Sequence, residues 1–419
     1  MSPTPARESG AALRSLALWL AALVALTPFS LDTYLPAIPA MATALGSEVA
    51  RVQHSVSSFL LGFAMGQLAG GPLSDRWGRR TVGTIGLAIY LASTLLILFV
   101  TDTAQLIALR LLQAFGGGFA TVICAAIVRD LYSGRAAARV ISTISTMMLV
   151  APLVAPVIGS VLLAAGGWQS IFVFLLGYGA AMLMLVRRLL PETVSRFTRA
   201  RRSLEPRRRL LANYLQVLGN RRALGFLGAQ AFVSGSMFIY ITTAPFVFME
   251  YFGVPAGRFP LLFGSSVVGL ICMVQVNIRL LNFFEPRRIL LAGISLQLLA
   301  CGLLLLGTLT GGRELSVWLV PLVLAMSSIG ITAPNAAACY LEFFPRISGS
   351  ANAFYGASLF VGGGVLGGIV NGMHTGTLVP IAGTMFGCAV AALLMALLVA
   401  RARTPIEVQP AVAGRFAAG

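Results

Sequence analysis

The chain of 419 residues contains no lysine: all 30 of its basic residues are arginine, set against 13 acids and two histidines, and charged residues amount to only 10%. A nucleic-acid binder would gather its net charge of +17 on one soluble face, whereas here the arginines fall between apolar stretches, which excludes that class. The missing lysine itself is read as coding bias. Cysteine is scarce too: Cys124, Cys272, Cys301, Cys339 and Cys388 all lie inside apolar runs, an odd number without paired spacing, so neither a disulfide framework nor a cysteine metal site is expected. His54 and His374 stand far apart near predicted helix ends and read as surface residues, not ligands. The chain offers no nucleophile with its base, no metal-ligand cluster and no phosphate loop, so it reads as a non-enzyme without cofactor or metal.

What the chain has is apolar length. With 58% hydrophobic residues and a mean hydropathy of +0.88 it reads as an integral membrane protein. Twelve stretches are long enough to cross a bilayer as helices, near 16–40, 52–71, 81–100, 104–126, 139–165, 168–189, 223–249, 259–281, 287–309, 315–340, 347–371 and 377–400. The first is too long for a signal peptide and contains Pro28, Asp32 and Pro36, although Ala40-Met41-Ala42 looks like a cleavage site. Threaded with the N-terminus inside, the twelve spans put all but four of the 30 arginines on the cytoplasmic side. Arg51, Arg258 and Arg313 fall outside and Arg110 within a span, an asymmetry that sets both termini in the cytoplasm.

The longest connection is strongly basic and parts the chain into a bundle of six helices at 1–190, a linker at 191–222, a second six-helix bundle at 223–403 and a tail at 404–419. Its arginines suit either an anionic lipid surface or a solvated linker. A weak echo of the 71–80 segment, Asn282 to Arg288, recurs between spans eight and nine, where a parallel repeat would put it.

Two charged residues fall well inside spans, Asp32 and Arg110. Each lies roughly 10 Å below the outer surface at 1.5 Å per residue, and the two are expected to share one cavity. A carboxyl between a desolvating interior and a guanidinium is poised to exchange a proton; a fixed ion pair joining spans one and four is the alternative. Gln113 follows Arg110 on the same helical face, with Gly117 a turn further on.

The polar stretch Gly71-Pro72-Leu73-Ser74-Asp75-Arg76-Trp77-Gly78-Arg79-Arg80 reads as a tight turn, with Gly71 and Pro72 breaking the incoming helix and Gly78 reversing the chain. Arg129-Asp130 at the inner end of span four is expected to pair with Asp75 and Arg76 when the cytoplasmic side is closed; a solvated charge pair is the alternative. In span five Pro152, Pro156 and Gly159 lie on one face and permit a kink or close packing. Gly62, Gly66 and Gly70 on span two, and Gly363, Gly364, Gly367 and Gly368 on span eleven, predict a close sliding contact between those helices; packing within each half is the alternative. Candidate substrate contacts are Phe29, Tyr34, Phe59, Phe63, Gln67, Met147, Met148, Phe238, Tyr240, Asn335 and Tyr355, an adaptable apolar wall with a few orienting polar groups.

The 71–80 segment matches every fixed position of the loop between helices two and three in the major facilitator superfamily. Together with Leu31-Asp32-Thr33-Tyr34-Leu35-Pro36, Arg129-Asp130-Leu131-Tyr132, Gly167-Trp168-Gln169 and Ser348-Gly349-Ser350-Ala351, it resembles the twelve-span drug:proton antiporters, in their bicyclomycin-resistance (Bcr/CflA) branch. Arg110, Gln113 and the glycines after them are similar to that family's helix-four motif, with Ala114 where a glycine is usual. The 151–159 stretch is similar to the antiporters' helix-five motif, with Ala155 in place of its glycine.

The resemblance implies an all-α membrane protein, two pseudo-symmetric six-helix bundles rocking about a central cavity in a bacterial inner membrane. It implies export of a small amphipathic drug against entering protons, and the protein is expected to act as a monomer. Asp32 would carry the proton, Arg110 and Gln113 would tune it, and the Asp75 loop would latch one conformation. The alternatives are an exporter of an endogenous metabolite such as a siderophore or nucleoside, a proton symporter, or a receptor or structural protein that does not transport.

Overall fold

The computed structural model describes residues 10–132, 134–190, 192, 208–311, 314–345, 347–373 and 375–400. The two chain ends, most of the 191–207 connection, Arg313 and His374 lie outside them. Helix α1 (Gly10–Asp32) stops at the acid, because Pro36 cannot supply the N–H that the Asp32 carbonyl would accept. The chain continues through a 3-10 turn at Leu35–Ala37 into α2 (Ile38–Ala44). Then come α3 (Val49–Trp77), α4 (Arg79–Ile97), α5 (Thr103–Leu131) and α6 (Gly134–Leu189). Asp102 caps α5, accepting from the Gln105 N–H at 2.9 Å.

At 1.5 Å per residue, the 56 residues of α6 far exceed one bilayer crossing. The helix reverses at Gly166 and Gly167, the latter at φ 71° and ψ −173°, and Ser170 Oγ pins the corner on the Leu162 and Gly167 carbonyls at 2.6 and 2.7 Å. Val140 and Val186, one on each arm, meet in the same hydrophobic cluster.

The second half holds α7 (Arg208–Gly219), α8 (Arg221–Pro245) with a π turn at Phe246–Tyr251, α9 (Phe259–Leu280), α10 (Pro286–Leu309), α11 (Leu315–Ser327), α12 (Ile329–Leu341), α13 (Ser348–Gly372) and α14 (Val379–Ala400). Among the described residues eleven helical stretches are apolar and long enough to span. With α6 counted twice they make the twelve predicted spans: α1 is span 1, α3 to α5 are spans 2 to 4, and the arms of α6 are spans 5 and 6. In the second half α8, α9 and α10 are spans 7 to 9, α11 with α12 is span 10, and α13 and α14 are spans 11 and 12.

The packing repeats between halves. Span 1 lies on 5 as span 7 lies on 11; span 3 lies on 6 as span 9 lies on 12; span 4 packs on 2 and 3 as span 10 packs on 8 and 9. Two main seams join the halves, span 2 against 11 and span 5 against 8, and they too are related by the repeat. The protein is thus an all-α, multi-pass membrane protein of two pseudo-symmetric bundles.

Three expectations need correction. Gly71 and Pro72 do not break span 2; α3 runs through both to Trp77, and the turn is a single residue, Gly78, at φ 97°. Only one N–H is missing at Pro72, so the helix continues to a better stopping point. The basic connection is not all linker, since its end forms α7, which buries Val217 and meets span 11 through a hydrogen bond from Asn213 Nδ2 to Ser350 Oγ at 3.2 Å.

The third concerns the glycine stripe of span 2, which faces span 4 and not span 11. A Cβ at Gly62 or Gly66 would run into the carbonyl of Leu111 or Phe115, and Gly70 sits on Phe119. Span 11 does meet span 2, through Gly364, Gly367 and Gly368, but against Ser57 and Leu61, while Gly363 is covered by Phe238. Ser57 and Gly62 are five residues apart, about 140° around the helix, so the small-residue face and the seam face differ.

Gly66→Ala should therefore lower the melting temperature of the detergent-solubilised protein by the equivalent of about 1–3 kcal/mol, the usual cost of overpacking. Gly177→Ala, whose Cβ would meet nothing, should not. Equal melting of the two variants would contradict this packing.

Candidate functional site

Between the halves lies a cavity of about 250 Å³. Span 1 contributes Thr27, Pro28, Leu31 and Asp32; span 5 Met148, Leu149 and Pro152; span 7 Met237, Phe238, Tyr240 and Ile241. Span 8 adds Phe263, Ser266, Val267 and Leu270, span 10 adds Met326 and Ile329, and span 11 adds Phe360. The wall is almost wholly apolar, and Asp32 is its one charged residue. Asp32 is 3% exposed, and its Oδ1 has no hydrogen-bond partner. Tyr240 stacks on Phe263 with centroids 5.5 Å apart, and its hydroxyl accepts from Ser266 Oγ at 3.5 Å.

Arg110 does not share this cavity. Its Nη1 donates to the Ser30 carbonyl at 3.0 Å and to Gln113 Oε1 at 2.7 Å, and its guanidinium lies between the rings of Tyr34 and Phe59 at 4.4 and 4.3 Å. Gln113 Nε2 donates onward to Thr94 Oγ1 at 2.8 Å, while the Ser30 hydroxyl meets the Tyr90 hydroxyl at 2.6 Å. The cation therefore ties spans 1, 2, 3 and 4 together. Ser30 and Asp32 are two residues apart, about 200° around a helix, so span 1 turns its acid toward the cavity and its Arg110 contact away from it. The equal depth expected from residue counts does not bring the two into one pocket.

At the face rich in arginine, Arg79 opens span 3 and is 4% exposed. Its guanidinium reaches Asp75 at 2.7 Å, Asp130 at 3.3 Å and Ser74 Oγ at 2.5 Å, while its backbone N–H donates to Glu192 Oε1 at 2.9 Å. Arg80 donates to the Arg187 carbonyl. Arg79 thus bridges Asp75 and Asp130, the turn at Gly78 setting it four residues beyond Asp75 at the start of the next helix. The side chain of Arg129 lies outside the described residues. The second half repeats the arrangement loosely: Arg287 at the start of span 9 reaches Glu342 after span 10 at 3.9 Å.

In span 5 the backbone stays helical through Pro152 and Pro156. Gly159 instead serves close packing, since a Cβ there would strike the Thr33 carbonyl where span 1 breaks.

Of the candidate substrate contacts, Met148, Phe238 and Tyr240 line the cavity. Phe63 backs it, edge-on to Phe360 at 4.7 Å. Tyr34 and Phe59 hold Arg110, Phe29 packs on Tyr178 at 5.6 Å, and Asn335 Nδ2 donates to Asn277 Oδ1 at 2.6 Å. Tyr355 packs on Tyr340 at 5.0 Å, and Met147 and Gln67 are off the wall. Sequence reasoning missed Met237, Phe263, Met326 and Phe360. The signal was the neighbouring small residue: Gly264 approaches Leu153 and Gly364 approaches Leu61, marking the faces of spans 8 and 11 turned to the other half. Among the described residues no group of three or more His, Cys, Asp or Glu is placed to hold a metal.

Arg110→Lys keeps the charge but loses the planar group that fits between two rings while bonding Ser30 and Gln113. It should destabilise the purified protein by about 1–3 kcal/mol, read as a lower melting temperature; a variant melting with the parent would show that the network does not hold the bundle.

The model of the Major Facilitator Superfamily matches residues 18–368. The bicyclomycin resistance protein homolog of Haemophilus influenzae is 31% identical over 380 residues, 90% of this chain and 94% of its own length. Multidrug resistance protein D of Escherichia coli is 30% identical over 377 residues, 84% of this chain and 87% of its own. The solved xylose transporter XylE of E. coli, in a partially occluded inward-open conformation, superposes with a TM-score of 0.72 at 14% identity, over 94% of this chain and 98% of that one. With its twelve spans in two repeated bundles, the chain belongs to the major facilitator superfamily, and its homologues over most of its length are of the Bcr/CflA kind.

Proposed function

We propose that the protein is a proton-coupled secondary transporter that moves a small, largely apolar molecule across the bacterial inner membrane by alternating access, with Asp32 binding the proton. The observation that carries this reading is the isolated carboxyl on an apolar wall. A charge so placed must be offset by water, by a guest or by a bound proton, and a cavity open to each side in turn would exchange one for another. Arg110 and Gln113 act as positioning residues, holding span 1 so that Asp32 faces the cavity.

The arginine-rich face is assigned to the cytoplasm by the positive-inside rule, with both termini there. On the opposite face polar contacts cross both seams, from Ser160 Oγ to the Ala256 carbonyl at 2.9 Å and from Asn371 Nδ2 to Ser57 Oγ at 3.5 Å. This supports a conformation closed to the outside. Gly71, Asp75, Arg76, Gly78, Arg79, Arg80, Arg129 and Asp130 would then form the inner gate, and the Pro152, Pro156 and Gly159 face of span 5 one wall that rocks.

The relatives from H. influenzae and E. coli are named for resistance, which supports export. The cavity wall recognises shape and apolar area, so the reading covers a metabolite of the cell's own as readily as a drug. A symporter would use the same acid with the opposite sign of coupling, and the protein is taken to act as a monomer in contact with lipid.

Asp32→Asn should reach the membrane in normal amount and lose transport driven by a pH gradient in everted vesicles, measured over a panel of apolar antibiotics and metabolites. Substrate added to the purified parent should release protons for an antiporter and take them up for a symporter. Undiminished gradient-driven transport by the variant would remove Asp32 from the mechanism.

A further inference from the structure

The face opposite the arginines carries a second, much smaller cavity of about 10 Å³, room for one water molecule. Its wall belongs to the second half, to Thr243 and Phe246 of span 7, Val370 and Asn371 of span 11, and Pro380 and Ile381 of span 12, with one exception. Gln53 enters it from span 2, across the seam.

Gln53 is 1% exposed and Asn371 4%, yet Gln53 Nε2 and Asn371 Oδ1 have no hydrogen-bond partner. One is a donor and the other an acceptor, and both residues line the same small space. Thr243 commits its hydroxyl proton to the Ile239 carbonyl at 2.7 Å, so it offers acceptor lone pairs there. Four residues along span 2, on the same face as Gln53, Ser57 Oγ already accepts from Asn371 Nδ2.

We propose that this is a single-water site that bolts the two halves together on the outer face. The water accepts from Gln53 Nε2 and donates to Asn371 Oδ1 and Thr243 Oγ1, three bonds in a site that fits one molecule. Opening that face pulls Gln53 out of its socket and hydrates both amides, so the bolt sets how often the closed arrangement gives way. The proposal rests on the two halves moving in transport, but its test reads the gate directly, so its failure would leave the transport reading standing.

Spin labels are attached to cysteines placed at Glu48 and Thr375, exposed sites on that face in opposite halves, in the full chain with its five native cysteines replaced by alanine. Distances between them are measured by pulsed electron resonance in lipid nanodiscs. Gln53→Met and Asn371→Leu keep each side chain's size and remove its amide, leaving the opposite group unpartnered. Each should raise the ratio of open to closed populations about tenfold. The double variant should open the face by less than the product of the two single effects, because neither amide is then left facing an apolar side chain, although the Asn371–Ser57 bond is gone in it as in Asn371→Leu. Where Gln53→Met does not fold, Gln53→Asn, which withdraws the amide by one methylene, should open the face in the same direction. Single variants with the parent's distances, or a double variant opened by the product of the single effects, would overturn the proposal.

Discussion

The arrangement depends on where span 1 breaks. Pro36 denies the Asp32 carbonyl its helical partner, the helix ends at the acid, and the carboxyl lies on a wall of Met, Phe, Leu and Pro side chains without a cation to face. The Arg110 guanidinium lies on the other side of the same helix, between Tyr34 and Phe59. A close pair would have compensated the charge permanently; separation leaves that compensation to whatever enters the cavity.

Around that acid the contacts within a half are closer than those between the halves. Within the first half, Gly62 and Gly66 let span 2 lie directly on the backbone of span 4, and Arg110 ties four spans at once. Between halves the seams rest mainly on small residues facing side chains, with one close approach of Gly364 to the Ser57 carbonyl and a few polar contacts near the outer face. Backbone against backbone makes a rigid body, whereas small surfaces meeting side chains permit two bodies to shift. At the arginine-rich face Arg79 gathers Asp75, Asp130 and Ser74 around one buried guanidinium, so the turn at Gly78 is an organised ionic cluster and not only a link between helices.

The twelve spans, the reversal at Gly166 and Gly167, and the Gly78 turn were legible because apolar length, glycine and charge carry their meaning locally along the chain. Asp32 and Arg110 were legible as buried charges for the same reason. Their separation was not, since counting residues from a helix end measures depth and says nothing of which side a side chain leaves from until the neighbouring spans are known. The span 2 glycines misled in the same way: the stripe announced a close contact, and the partner proved to be span 4. Cavity residues such as Phe263 and Met326 sit in runs where a lipid-facing and a cavity-facing side chain look alike, which is why Tyr34 and Phe59 were read as contacts and these were not.

The central claim is that the Asp32 carboxyl takes up a proton and yields it when a guest arrives, and infrared difference spectroscopy of the protein in lipid reads this bond directly. Addition of a transported compound should remove a carboxylic acid C=O stretching band and produce carboxylate bands, with both changes absent from Asp32→Asn. A parent protein showing no acid band at any pH, or a band that substrate leaves untouched, would contradict the account.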